Sequence, residues 1–330
     1  MPDRIPRLAI SVGDPAGIGP EVVVRALAQR PGLQAVVFGD RGVMARAAEA
    51  AGAVLPEVPL VEVTRLDAGE ARPGKPDDAS GRAQVAYLDA ATSAVLAGEA
   101  DALVTAPISK EWAGRAGFAF PGHTEYLAAR ASAGDFAMML AGPRLRVTVV
   151  TGHVALRDVA QVLSAEAVAA ATVLTAVAVR RDFGAARPRI AVAGFNPHAG
   201  EAGKFGDEEA RVIVPGIALA RERLRAAGEP AEVSGPQVPD VVFRQAASER
   251  RFDAVVAMYH DQGLIPIKLL DFDSAVNVTL GLPFVRTSPD HGTAYDIAGS
   301  GRADPQSFLA ALDLAMEMAA RRLAKAGVAA

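Results

Sequence analysis

An α/β fold with a largely parallel sheet is what the sequence predicts, on three observations. Apolar runs of strand length alternate with longer Ala- and Arg-rich stretches of helical pattern. Hydrophobic residues make up 51% of the 330-residue chain but aromatic ones only 5%. The core must therefore be built mainly from Ala, Val, Leu and Ile, as buried parallel strands under alanine-rich helices are. Finally, four of the apolar runs end in polar clusters, the pattern of strands whose carboxyl ends face a ligand crevice.

Taken in order, RLAISVG (7–13) leads through a glycine-rich turn into GPEVVVRALAQR (19–30), where Pro20 opens the helix. The stretch LDAGEARPGKPDDASGRAQ (66–84) is the most loop-like and marks a bend rather than a domain boundary. ALVTAPIS (102–109) runs into KEWAGRAG, and LRVTVVTGH (145–153) precedes a helix at 164–183. RIAVAGFNPH (189–198) is followed by the polar EAGKFGDEEARVIVPGIALARERLR, and DAVVAMYH (253–260) by DQGLIPIKLL. SAVNVTLGLPFVRTSP (274–289) departs from the alternation, with two β-rich runs around a hairpin or sharp bend at Gly281-Leu282-Pro283. The last helix is signalled by Asp304 as N-cap and Pro305 at the first helical position.

The net charge of −4 carries no electrostatic footprint for nucleic acid or an anionic membrane. No window approaches the roughly 18 uninterrupted apolar residues of a membrane span, and the N-terminus lacks a signal-peptide pattern. The expectation is a soluble cytoplasmic protein. Zero cysteines exclude disulfides, thiolate catalysis and Cys-type zinc sites, so any metal must use nitrogen and oxygen ligands.

The polar clusters are Thr105–Lys110, Thr151–Asp158, Asn196–Glu201 and Tyr259–Gln262. Of the five histidines, His153, His198 and His260 stand at such strand ends. Three imidazoles meeting at one point would bind a metal and leave positions open for substrate oxygens. Three separate hydrogen-bonded histidines are the alternative, because no local motif forces them together.

GDPAGIGPE (13–21) matches neither GxGxxG nor GxxxxGK[ST]. It reads as an anion-binding helix start or simply as a tight turn. Lys268, Asn277 and Arg286, with His123-Thr124, could form a phosphate cradle, Arg as a bidentate fork and Lys as a point charge; surface salt bridges are the alternative. HGTAYDIAGSGRADP (291–305) is either a backbone wrap for an adenosine or a capping loop.

GDPAGIGPE, PISKEW…GFAFPGHTEYLA, TGHVALRDV, GFNPHAGEAGKFGDEE, MYHDQGLIPIKLL and VNVTLGLPFVRTSPDHGTAYDIAG together resemble the 4-hydroxythreonine-4-phosphate dehydrogenase family of pyridoxal phosphate biosynthesis. The resemblance extends from about residue 7 to 325, with the motifs in order. It implies metal ligation by His153, His198 and His260, and substrate binding by His123, Thr124, Lys268, Asn277 and Arg286. It implies an isocitrate/isopropylmalate dehydrogenase-like fold, not a Rossmann fold, in which residues 1–330 form one dehydrogenase unit. Two α/β subdomains would interleave in sequence around a central active-site cleft. The loop with His291, Gly292, Thr293 and Asp296 would then bind NAD or NADP. The resemblance also implies a homodimer with its active site at the interface.

The implied reaction is oxidation of the C3 hydroxyl of 4-phosphooxy-L-threonine, with hydride passing to the nicotinamide. Loss of CO2 from the β-keto acid then gives 3-amino-2-oxopropyl phosphate. One divalent metal per site (zinc, cobalt or magnesium) would serve both steps. Asp261, Lys110 and Asp240 are candidates for the general acid and base. The rivals are a decarboxylating dehydrogenase of another phosphorylated hydroxy acid or of a cyclic dihydrodiol carboxylate, a metal-dependent hydrolase, and a catalytically silent phosphosugar-binding protein.

Overall fold

The computed structural model describes residues 4–55 and 57–329, and the chain divides into two compact units. The first joins residues 1–132 to residues 282–330, and the second is the continuous run 133–281. The fold is mixed α/β, as the alternation of apolar runs predicts.

The first unit opens with β1 (Leu8–Ser11), β2 (Ala35–Gly39), β3 (Leu60–Glu62) and β4 (Ala102–Thr105). The second holds β5 (Ala137–Ala141), β6 (Arg146–Thr151), β7 (Arg189–Ala193), β8 (Glu232–Gln237), β9 (Ala254–Tyr259) and β10 (Val276–Leu280). The chain then returns to the first unit with β11 (Val285–Pro289).

In the first unit the strand order is β3-β2-β1-β4-β11, every described pair parallel. From β1 the chain winds outward to β2 and β3 on one side and later to β4 on the other. The carboxyl ends of β1 and β4 thus flank a topological switch point, where open α/β sheets bind ligands. Strands β1 and β4 are buried along their whole length, as a sheet covered on both faces must be.

In the second unit the order is β10-β5-β6-β9-β7-β8. Strands β6, β9, β7 and β8 run parallel, while β5 is antiparallel to both of its neighbours. Its core is aliphatic and alanine-rich, with Leu140, Val147, Val149, Ala191, Val255 and Ala257 at its centre, in line with the scarcity of aromatics.

One sequence expectation needs correction. Only the first part of the 66–84 stretch is a loop. Asp77 and Ser80 form a reciprocal capping box, each side chain bonded to the other's backbone, and it starts the helix Asp78–Leu96 inside the polar run. The bend at 281–283 is where the chain passes from the second unit to the first: β10 pairs with β5 and β11 with β4. The last helix, Gln306–Ala329, begins as expected, with the Asp304 carboxylate accepting the Gln306 N–H at 2.9 Å. No single helix among the described residues is long and apolar enough to cross a membrane.

Candidate active site

Three segments converge at the carboxyl ends of β1, β4 and β11 in the first unit. The turn after β1 packs so tightly on the one after β4 that a Cβ at Gly13, whose φ is +74°, would lie 2.3 Å from the Pro107 carbonyl oxygen. Asp14, fully buried, accepts the Ala16 N–H at 2.8 Å and the Tyr295 hydroxyl at 2.6 Å. Burial is the main cause of its raised pKa. The Ile18 N–H donates to the Thr293 carbonyl at 2.9 Å.

Glu21, 2% exposed, accepts the N–H groups of Gly299 and Ala303 at 3.2 and 3.0 Å. Arg25 donates to the carbonyls of Gly301 and Ala303. The GDPAGIGPE turn and the 291–305 loop are therefore one construction, in which buried carboxylates hold loop backbone. Of the residues expected at the cofactor, His291 and Thr293 are half-buried, and Gly292 and Asp296 are exposed.

The same end of the unit collects positive charge. Arg286 on β11 is 3% exposed and donates from Nη2 to Thr105 Oγ1 on β4 at 2.7 Å. Burial brings its pKa down to about 10, with the Glu125 carboxylate opposing. His123 opens the helix His123–Arg130, and its Nε2 is buried without a hydrogen-bond partner. Burial first, then the charges of Arg286 and Lys110, hold its pKa well below 6.5. Lys110 begins the helix Lys110–Arg115, capped by Ser109, and its charge reaches His123. A neutral imidazole, a buried guanidinium and an ammonium in one place form a receptor for an anion. Thr124 follows His123 in the same helical turn.

The second unit carries the other group. His153, His198 and His260 follow β6, β7 and β9, three neighbouring parallel strands. The His153 and His260 rings lie 5.5 Å apart between centroids, tilted by 40°. The His198 ring pairs with Phe205 at 6.2 Å, on a turn where His198 itself has φ +53°. Two of the three rings are thus together. Among the described residues no group of three His, Cys, Asp or Glu stands assembled for a metal ion.

In donor chemistry the set does suit one. His260 Nδ1 is 2.6 Å from Asp261 Oδ1, and a carboxylate there selects the tautomer whose Nε2 offers its lone pair to a cation. In this geometry Asp261 is the partner of a histidine. Asp240 is exposed in the first turn of the helix Pro239–Ala247, which packs on the His198 turn. Lys268 is half-buried on the helix His260–Asp271. Asn277 lies on β10 with its Oδ1 buried and unpartnered.

Sequence reasoning missed Asp14, Glu21, Glu209 and Gln262. Their partners are almost all backbone groups, which no side-chain pattern records. The one available signal was acidic residues set inside apolar or glycine-rich runs.

Residues 32–315 match the family described as pyridoxal phosphate biosynthetic protein PdxA. The chain is 48% identical to a 4-hydroxythreonine-4-phosphate dehydrogenase of Desulfosudis oleivorans, over 96% of both chains. Among solved structures it is similar to the Klebsiella pneumoniae enzyme of the same name, with TM-score 0.85, 40% identity, and 96% of this chain and 98% of that one covered. It is also similar to a terephthalate 1,2-cis-dihydrodiol dehydrogenase of Burkholderia xenovorans, with TM-score 0.66, 32% identity, and 95% and 98% covered.

Proposed function

Because the chain belongs to the pyridoxal phosphate biosynthetic protein PdxA family, we propose that it oxidises and decarboxylates 4-phosphooxy-L-threonine. The product would be 3-amino-2-oxopropyl phosphate, in the biosynthesis of pyridoxal phosphate. The observation that carries the phosphorylated substrate is the corner where buried Arg286 adjoins His123 and the exposed Lys110 adds its charge. A guanidinium 3% exposed is costly to desolvate, and a dianionic phosphate at that corner would offset the cost. A cyclic dihydrodiol carboxylate offers no phosphate, so the corner favours the phosphorylated substrate over the chemistry named for the Burkholderia relative. Lys268 and Asn277, carried by the second unit, are assigned to the same substrate on the resemblance alone.

The fold is taken to be of the isocitrate/isopropylmalate dehydrogenase kind rather than a Rossmann domain. The whole chain would form one dehydrogenase unit of two interleaved subdomains, in the cytoplasm. A nicotinamide dinucleotide, NAD or NADP, would take the hydride from C3. His291, Gly292, Thr293 and Asp296 are the proposed contacts, on a loop already held by Glu21 and Asp14. A divalent ion on His153, His198 and His260 would supply Lewis-acid polarisation of the substrate oxygen; zinc, cobalt and magnesium are the candidates.

The chain's own residues do the rest. The neutral His123 can donate to a phosphate oxygen without the penalty of a second buried charge. Arg286 orients the phosphate away from the reacting carbon, so binding energy gained there fixes C3 in place. Lys110 and Asp240 remain candidates for proton transfer; Asp261, bonded to His260, is proposed to support that ligand.

A homodimer with its active site at the interface belongs to the same reading. It is supported by an exposed apolar stripe, Ile265 and Leu269 on the helix that starts with His260 and Phe272 at its C-cap, 67%, 83% and 72% exposed. The deciding experiment follows absorbance at 340 nm with NAD or NADP and 4-phosphooxy-L-threonine, with zinc, cobalt or magnesium added. NADH or NADPH formation is expected; none with any metal would overturn the proposal.

A further inference from the structure

We propose that Glu209 and Gln262 are positioning residues for the metal ligands His198 and His260, an inference that rests on the metal reading above. Gln262 follows His260 closely in the helix His260–Asp271. Its Oε1 accepts the Met258 N–H at 2.6 Å and its Nε2 donates to the Gly194 carbonyl at 2.7 Å. One side chain thus ties the end of β9, which delivers His260, to the end of β7, which delivers His198.

Glu209, 6% exposed, grips the same segment from the other side. Its Oε1 accepts the N–H groups of Phe195 and Asn196 at 2.8 and 2.7 Å, and its Oε2 accepts from Asn196 Nδ2 at 2.9 Å. A second carboxylate, Glu208, also accepts from Asn196 Nδ2, at 2.7 Å. The carboxylate of Glu209 lies so close beneath the turn that a Cβ at Gly200 would come 2.8 Å from its Oε2.

The turn needs such a hold. His198, Ala199, Glu201 and Ala202 have φ of 53°, 53°, 42° and 56°, a conformation costing non-glycine residues on the order of 1 kcal/mol each and persisting only where the surroundings impose it. Glu209 itself begins the π-helical stretch Glu209–Ile213, a local distortion that recurs at functional sites.

The hydrogen bonds of both residues go to the segments that aim an imidazole and not to the imidazole itself. Losing either should let the His198 turn relax and spread its ring over several orientations. Metal affinity would fall while the sheet stays folded.

The test uses the full chain, stripped of metal and titrated with cobalt(II). Three quantities are read: the dissociation constant by chelator competition, the visible spectrum of the bound ion, and the melting temperature of the metal-free protein. Glu209→Gln and Gln262→Leu are expected to weaken cobalt binding about 10- to 100-fold and to change the spectrum. Gln262→Glu, which keeps the acceptor for Met258 but loses the donor to Gly194, should fall between wild type and Gln262→Leu. Should Glu209→Gln fail to fold, the two Gln262 variants decide. A lowered metal-free melting temperature with affinity and spectrum unchanged would overturn the inference. His198→Ala separates the two levels. If wild-type binding does not depend on His198, the metal reading and this inference fall together; if it does, and the variants bind like wild type, the inference alone falls.

Discussion

Arg286 on β11 reaches Thr105 on β4 through a 2.7 Å bond from Nη2 to Oγ1, with 3% and 0% of the two residues exposed. The hydroxyl orients the guanidinium, and burial brings its pKa down to about 10 against the opposing charge of Glu125. Burial first, and then the same charge, holds the pKa of the adjoining His123 well below 6.5. In the proposed function this corner receives the anion that arrives with the substrate.

Arg286→Met tests this. Hydrogen bonds to charged groups contribute about 1.5–3 kcal/mol, so kcat/KM for the phosphorylated substrate should fall roughly 10- to 150-fold. Removing the buried guanidinium also takes the donor from Thr105 and the opposite charge from Glu125, so thermal stability should fall as well. Steady-state kinetics beside a thermal melt read both; wild-type kcat/KM would remove Arg286 from the substrate site.

His123 makes stability depend on pH on the acid side. Its folded pKa lies well below 6.5, so on acidification the unfolded chain takes up a proton that the folded state does not. Stability is at its full value above about pH 6.5 and declines as the pH falls toward the folded value. His123→Gln should flatten this decline in urea unfolding measured between about pH 7 and pH 5. An unaltered slope would show that His123 does not contribute.

Glu21→Gln should loosen the 291–305 loop, because an amide cannot serve both Gly299 and Ala303 N–H groups as the carboxylate does. The expected signature is a KM for the dinucleotide about tenfold higher, with kcat changed much less. An unchanged KM would separate this loop from the cofactor.

Gly13→Ala places a methyl group 2.3 Å from a carbonyl oxygen at a φ of +74°. The cost should exceed about 2 kcal/mol, read as a lower midpoint in urea. A wild-type midpoint would mean that the turns after β1 and β4 separate easily.

Chelation should abolish turnover, and zinc, cobalt or magnesium should restore it. His198 is exposed, so His198→Ala should melt like wild type while losing both activity and bound metal. Full activity in that variant would remove His198 as a ligand.

The strand-ending polar clusters were legible because a parallel α/β sheet puts function at its carboxyl ends, and β4, β6, β7 and β9 end near them. The meeting of His123 with Arg286 was one of two readings open from residue type, and only the family motifs favoured it, since nothing local links a helix start to a distant strand. Asp77 hid a helix inside the polar 66–84 stretch, because aspartate serves caps and loops alike. The roles of Glu209 and Gln262 were not legible, since their partners are largely backbone atoms brought near by tertiary packing.

The insertion of residues 133–281 between the two stretches of the first unit has a consequence for biosynthesis. The second unit is contiguous and can assemble as soon as it leaves the ribosome, since domains fold as units. The first cannot close its sheet until β11, which begins at Val285, follows the inserted unit, long after β4 ends at Thr105. Until then β4 presents a bare edge, the kind of surface on which nascent chains associate wrongly. Emergence of β11, rather than any local rearrangement, is therefore the event that brings Arg286 beside His123.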